Sequence, residues 1–144
     1  MPSSKKRALK IVLDTNVWVS ALIWGGKPAK IVEAAEQGRI DLFVSESIVE
    51  EISRVLSYPK IEKIYRPQTT CRQLMEQILK NTKFVETTTK LKVINEHPAD
   101  DKIIECAASA KADYIVSGDK HLLNVVAYQK TQILPVNEFM KLIE

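Results

Sequence analysis

Cysteine and long apolar runs are scarce in this 144-residue sequence, and each scarcity excludes a class of protein. The two cysteines, Cys71 and Cys106, have no second Cys or His at ligand spacing, so neither a disulfide framework nor a zinc site is predicted. We expect both to be buried thiols. The apolar runs, such as residues 17–24, are too short for a membrane span and follow no signal peptide, so we expect a cytoplasmic protein without membrane association.

Two catalytic signatures are also missing. There is no G-x-S-x-G segment, and His97 and His121 are the only histidines, which argues against a Ser-His-Asp hydrolase. A Gly-rich phosphate loop is absent too. The net charge of +3 permits nucleic-acid binding without requiring it. A hydrophobic fraction of 45% is enough for an ordered core and argues against disorder.

Strand-like and helix-like segments alternate along the chain. Buried-strand patterns are followed by amphipathic ones, and this alternation predicts an α/β fold, a three-layer α/β/α sandwich around a central, mainly parallel sheet. We expect residues 1–7 to be a flexible basic leader and residues 8–144 to form a single domain. Strands are predicted at 9–13, 40–44, 114–116 and 131–134, and helices at 17–23, 28–38, 46–56, 67–82, 100–111 and 136–143, with 84–93 left as a weak strand or loop.

Two aspartates directly follow predicted strands. Asp14 ends the first strand, and Asp119 follows residues 114–116 through Ser117 and Gly118. Ligands of open α/β sheets bind outside the carboxyl ends of the strands, so we expect these two carboxylates to face one crevice. Each has a plain structural alternative, because Asp14 can form an Asx turn and Asp119 can be an ordinary loop residue.

Helical geometry selects two further acids. At 100° per residue, Glu50 points away from the apolar stripe of its helix and Glu51 lies on the margin of that stripe. Glu51 alone is nevertheless more often a surface acid. In the later helix, Asp100 falls on the core-facing stripe, where it can also serve as a helix cap, while Asp101 and Glu105 are expected to turn away. That stripe consists of Ile103, Ile104, Ala107 and Ala110.

Four convergent carboxylates would repel one another unless a cation neutralised them. Mg²⁺ and Mn²⁺ prefer carboxylate and water oxygens and need no His or Cys ligand. Such ions activate water for in-line attack on a phosphodiester, which makes a nuclease the favoured chemistry. The four candidate catalytic and metal-binding residues are Asp14, Glu51, Asp100 and Asp119.

The segments around these acids resemble the motifs of PIN-domain ribonucleases, in the family's order. They are IVLDTNV at residues 11–17, SESIVEEISRVL at 45–56, PADD at 98–101 followed by IIECAA at 103–108, and ADYIVSGDKHLL at 112–123. The likeness is greatest to the toxin components of toxin–antitoxin systems. The resemblance implies a Mg²⁺- or Mn²⁺-dependent endoribonuclease acting on RNA, a homodimer, and a small antitoxin protein as partner.

The resemblance also implies roles for polar neighbours. Thr15, Asn16 and Ser117 match positions that support the acids through hydrogen bonds, although turn formation and helix capping are equally good explanations. Departures occur as well. His97 and Ala99 stand where the subgroup usually has acidic residues, and His121 replaces another, which would weaken or retune metal binding.

Basic and aromatic residues add weaker indications. Lys120, beside Asp119, is a candidate phosphate-binding residue, and Trp18 and Trp24 fit core or dimer contacts better than base stacking. Further basic residues can attract an RNA backbone, although charges spread this evenly more often form a solvated surface. They are Lys5, Lys6, Arg7, Lys10, Lys60, Lys63, Arg66 and Arg72.

Two other functional classes are alternatives to a nuclease. A phosphate-accepting signalling domain would place an acidic pair after its first strand, whereas Asp14 stands alone there. A catalytically inert PIN-like module that binds RNA or a protein partner through an acidic crevice stays open, because the sequence does not exclude it.

Overall fold

A six-stranded sheet forms the centre of the molecule in a computed structural model, which describes residues 8–87 and 98–144, and of 98–100 the backbone alone. The strand order is β3-β2-β1-β4-β6-β5, and all neighbours are parallel except β5 and β6. The strands are β1 (Leu9–Leu13), β2 (Ile40–Val44), β3 (Lys83–Phe84), β4 (Tyr114–Val116), β5 (Ala127–Tyr128) and β6 (Thr131–Leu134).

Eight helices within the described residues surround this sheet, and the result is the predicted α/β/α sandwich. None of them is long and apolar enough to cross a membrane. The helices are α1 (Thr15–Ile23), α2 (Gly26–Glu36), α3 (Glu46–Leu56), α4 (Pro59–Tyr65), α5 (Cys71–Lys80), α6 (Pro98–Ala110), α7 (Lys120–Val125) and α8 (Val136–Ile143).

The core lies on both faces of β1, as its apolar run predicts. Ile11, Val12 and Leu13 are fully buried, and β1 pairs with β2 on one side and β4 on the other. Trp18 is fully buried in the core, whereas Trp24 is 61% exposed. Cys106 is buried as expected, but the same expectation for Cys71 is wrong, because this side chain is only partly buried.

Local sequence explains where α3 begins and ends. The Oγ atom of Ser45 accepts a hydrogen bond from the amide of Ile48 at 3.4 Å, which satisfies one unpaired donor of the first turn. The helix ends at Leu56, and Pro59 then starts α4 rather than only stopping α3. The hydroxyl of Tyr65 donates to the carbonyl oxygen of Leu56 at 2.6 Å, so α4 is fastened to the end of α3.

The predicted helix at 67–82 is shorter in the structure. Residues 67–70 form a turn and an extended segment, because Thr70 and Gln73 make a capping box that starts α5 at Cys71. The sequence prediction also missed the short elements α4, α7 and β5. The predicted leader 1–7 and the doubtful segment beyond residue 87 lie outside the described residues.

Candidate active site

Asp14 is the centre of the candidate site. It follows β1 and immediately precedes α1, and its side chain is only 6% exposed. Its Oδ2 atom accepts a hydrogen bond of 2.6 Å from the Ser117 hydroxyl. The carboxylate thus contacts the neighbouring strand end, and the amides of Thr15 and Asn16 stabilise it as well, so the turn explanation stands beside the functional one.

Ser117 connects the two strand-end acids. Its Oγ donates to Asp14 and accepts from the backbone amide of Asp119 at 2.9 Å. Ser117 follows β4, which lies beside β1, so the carboxyl ends of adjacent parallel strands bring these residues together. Asp14 and Asp119 therefore lie near each other, joined through Ser117.

Electrostatics distinguish Asp14 from an ordinary surface acid. Burial raises its pKa above the ordinary aspartate value of 3.8, and the negative charge of Asp119 raises it further. The Ser117 hydrogen bond and the amides of Thr15 and Asn16 act in the opposite direction, because they stabilise the charged form. A bound cation at this position would relieve the same two penalties.

Asp119 has a structural role in addition to its proximity to Asp14. It is the N-cap of α7, and its Oδ1 atom accepts a hydrogen bond from the His121 amide at 2.8 Å. The remaining lone pairs of the carboxylate are compatible with a metal ligand. Lys120, the first residue of α7, has an exposed side chain beside it.

Glu51 on α3 lies apart from this pair of aspartates. Glu50 is exposed and Glu51 half-buried on α3, as the helical positions predict. Within residues 8–87 and 101–144, however, no three His, Cys, Asp or Glu side chains lie close enough together to hold a metal ion. The structure thus brings Asp14 and Asp119 together and does not add Glu51 to them as a third ligand.

The first turn of α6 carries the acid that the sequence prediction missed. Asp101 is 6% exposed, so the expectation that it turns away from the protein is wrong. The apolar stripe of α6 is buried as predicted. The helix packs against α3 as well as against strands β1, β2 and β4, so more of its circumference is buried than the stripe alone. The side chains of Asp100 and Ala99, and all of His97, lie outside the described residues.

Chain direction places this turn near Asp14. A helix that precedes a parallel strand runs against it, so the first turn of α6 lies at the carboxyl edge of the sheet. Asp100 and Asp101 both belong to that turn. Asp101 therefore lies toward the same edge of the sheet as Asp14, although it does not form with Asp14 and Asp119 a group of three acids close enough to hold a metal ion.

The residues present fit a hard divalent cation in part. Two carboxylates converge, their donors are oxygens, and one of them is buried with a raised pKa. The supporting residues differ in accessibility: Thr15 and Ser117 are buried and Asn16 is exposed. Of these three, only Ser117 makes a side-chain hydrogen bond to Asp14 within the part of the chain that the structure describes.

Comparisons with known proteins agree with this arrangement. A family model described as PIN domain matches residues 10–121, which include all four predicted site acids. An uncharacterised protein of Methanocaldococcus jannaschii is 30% identical over 126 residues, covering 87% of this chain and 80% of that protein.

A solved structure has a similar fold. It is that of VapBC2 from Rickettsia felis bound to a DNA fragment from their promoter, and one of its chains matches with a TM-score of 0.62 and 14% identity. The match covers 88% of this chain and 98% of the other. The motif order, the sheet and the paired strand-end aspartates thus coincide with the family match, and the chain belongs to the PIN-domain family, whose members are generally nucleases.

Proposed function

We propose that this protein is a metal-dependent endoribonuclease that hydrolyses RNA phosphodiester bonds. The observation that carries the proposal is the buried Asp14, hydrogen-bonded to Ser117 and repelled by the charge of Asp119 at the carboxyl edge of the sheet. An acid in that environment is costly unless it binds a cation or a proton, and such perturbed acids are typical of functional sites.

The proposed ligands are Asp14, Glu51, Asp100 and Asp119, with the buried Asp101 added from the structure. Mg²⁺ or Mn²⁺, when bound, supplies the charge that activates water and stabilises the leaving oxygen of the phosphodiester. Ser117 holds Asp14 in one orientation, and the low exposure of Asp14 keeps bulk water from weakening its attraction for a cation. Glu51 would be the ligand that α3 contributes, and exposed Lys120 attracts the RNA phosphate.

The cellular role proposed is that of the toxin in a toxin–antitoxin pair, acting in the cytoplasm as a homodimer. It is supported by the resemblance of the four motifs and by the fold shared with a chain of the VapBC2 complex. A small antitoxin that places a cationic side chain between Asp14 and Asp119 would block the site, since it would neutralise the same two charges.

The decisive experiment measures cleavage of single-stranded and structured RNAs by purified protein with Mg²⁺, Mn²⁺ or chelator. Wild type is compared with Asp14→Asn and with Glu50→Gln, an exposed acid of α3 outside the proposed site. We expect cleavage that needs the metal, persists in Glu50→Gln and disappears in Asp14→Asn. Binding of Mn²⁺ without cleavage of any RNA would favour the inert binding module instead.

The toxin role has a separate test in a bacterial host. Induced wild-type protein should arrest growth, and Asp14→Asn, expressed to the same level, should not. Growth arrest by both proteins would show that the effect is unrelated to the site.

A further inference from the structure

Basic charge is concentrated in one short stretch of the described chain. Residues 58–72 contain four Lys or Arg side chains and a single Glu, a net charge of +3. Outside this stretch and the leader 1–7, carboxylates outnumber cations. The basic residues are therefore not evenly spread, because they cluster on α4 and beside its two ends. The four cations are Lys60, Lys63, Arg66 and Arg72.

A groove of about 540 Å³ lies in the same place. Two proline rings and the side chains of one helical face line it, so its floor is largely apolar and its rim is charged. The lining residues are Pro59, Glu62, Lys63, Arg66 and Pro67. We call this feature, together with the flanking Tyr58 and Lys60, the α4 groove.

The cations of the α4 groove are available to a ligand. Glu62 pairs with Arg66 at 3.4 Å, an exposed contact that contributes little to stability. Lys60 and Lys63 are exposed and make no ion pair with any carboxylate in the described ranges. Tyr58, which precedes α4, is 50% exposed and can present an aromatic face.

The position of the groove is fixed relative to the candidate active site. Tyr65 is 6% exposed, and its hydrogen bond to Leu56 fastens α4 to α3. Glu51 lies five residues before Leu56, a rise of about 7.5 Å along the helix. The groove therefore keeps a fixed position relative to α3, the helix that carries Glu51.

We propose that the α4 groove binds the RNA substrate outside the reacting site, with Lys60, Lys63 and Arg66 on phosphates and Tyr58 stacked on a base. Phosphate contacts hold a strand without reading its sequence, and aromatic stacking tolerates any base. The charge of the groove favours this polyanion over an apolar protein segment. The inference rests on the proposed ribonuclease function and names how that enzyme holds its substrate.

The test is binding of a fluorescently labelled single-stranded RNA of about 12 nucleotides, a length within the site sizes of single-strand binding folds. Fluorescence anisotropy is recorded in chelator, so that no cleavage occurs, between about 50 and 200 mM salt. The Lys60→Ala/Lys63→Ala double variant should bind about tenfold more weakly. The slope of log K against log salt should fall by about 1.4, because two single-strand phosphate contacts are lost.

Two comparisons make the result specific. Lys30→Ala/Lys141→Ala removes the same charge from exposed positions on α2 and α8 and should bind as wild type. Tyr58→Ala should lose at least about fivefold in affinity with an unchanged salt slope, because stacking releases no counterions. Equal losses in both lysine pairs, or wild-type binding by Lys60→Ala/Lys63→Ala, would overturn the proposal, and the latter would leave the groove to a protein partner.

Cleavage assays keep this inference separate from the proposed function. With Mn²⁺, the Lys60→Ala/Lys63→Ala variant should show a raised KM and an unchanged kcat, since the groove does not touch the reacting atoms. Cleavage by wild type together with unaltered binding by the variant rejects the groove alone. No cleavage by wild type, with weakened binding by the variant, rejects the ribonuclease and leaves RNA binding at the groove supported.

Discussion

Ser117 and Asp14 are 103 positions apart in the chain, and the hydroxyl of the first donates a 2.6 Å hydrogen bond to the carboxylate of the second. Both residues are shielded from solvent, so the bond is not exchanged for one to water. It holds the carboxylate in one orientation at the end of β1. Removing either partner leaves the other as a buried polar group with fewer bonds, which is costly.

Asp14→Asn should stabilise the fold at neutral pH. The pKa of Asp14 is raised in the folded protein, so its stabilising contribution is complete below the ordinary aspartate pKa of 3.8 and is lost as pH rises through the folded pKa. An uncharged Asn avoids that loss and can still accept the Ser117 bond. We expect the Tm at pH 7 to rise by about 2–4 °C. For a chain of this length, such a rise corresponds to about 1 kcal/mol in the free energy of unfolding.

The control for that measurement is Glu50→Gln, whose side chain is exposed. It should leave Tm unchanged across the pH range. The gain of Asp14→Asn should shrink toward pH 4, and Mn²⁺ should raise the Tm of wild type and of Glu50→Gln but not that of Asp14→Asn. A lower Tm for Asp14→Asn than for wild type at pH 7 would contradict the electrostatic account.

Two substitutions should shift the pKa of Asp14 in opposite directions. Ser117→Ala removes a hydrogen bond that favours the carboxylate and should raise this pKa, whereas Asp119→Asn removes a repelling charge and should lower it. Carboxyl ¹³C NMR titration of the metal-free protein measures both. Ser117→Thr retains the hydroxyl and should leave the pKa near that of wild type. Shifts of the same sign in Ser117→Ala and Asp119→Asn would rule out this assignment of causes.

The first turn of α6 offers a choice between two neighbouring acids. Asp101 is buried in the helical turn that lies at the carboxyl edge of the sheet, and we expect Asp101→Asn to weaken Mn²⁺ binding about 10–100-fold. Isothermal titration calorimetry measures the affinity. A comparable loss of Mn²⁺ affinity in Asp100→Asn would support Asp100, the ligand that the sequence predicted. Unchanged affinity in Asp100→Asn would leave Asp101 as the ligand of this turn.

The adjacent residues Glu50 and Glu51 on α3 allow a test with a matched control. Glu51 is half-buried and Glu50 is exposed, so only Glu51→Gln should reduce metal-dependent RNA cleavage, by about 10–100-fold. Circular dichroism of both variants checks that α3 still forms. Equal activity of the two variants would remove Glu51 from the proposed ligand set.

The two thiols should differ in reactivity. Burial raises the pKa of Cys106 to about 12, so this thiol is protonated and inaccessible at pH 8. Cys71 is partly exposed. Ellman's reagent should therefore titrate one thiol in the native protein and two after unfolding, and Cys71→Ser should abolish the native reaction. Rapid native modification of Cys106 would contradict the burial of α6.

Most of the sheet was predictable because its signals are local. The fully buried triplet of β1 and the amphipathic stripe of α3 are each determined by neighbouring residues, and both elements have the predicted bounds. The short elements were not predictable, since the seven residues of α4 and the two of β5 are too few to establish a period. The start of α5 depended on the Thr70–Gln73 capping box, which the longer prediction overlooked.

The candidate site, too, was predictable only in part. Asp14 and Asp119 were predictable as a pair because acids that follow neighbouring parallel strands must share an edge. The burial of Asp101 was not, because a helical wheel compares residues of one helix only. Its burial depends on the sheet and on α3, which pack against α6 from separate parts of the chain.

The strand order β2-β1-β4 has a consequence during protein synthesis. Asp14 emerges from the ribosome early, but its partners Ser117 and Asp119 follow β4, in the last quarter of the chain. A nascent or prematurely terminated chain therefore carries half of an acidic pair and has no β4 to complete it. The hydrogen bond between Ser117 and Asp14 can form only after β4 and Ser117, which is 103 positions after Asp14, have been synthesised.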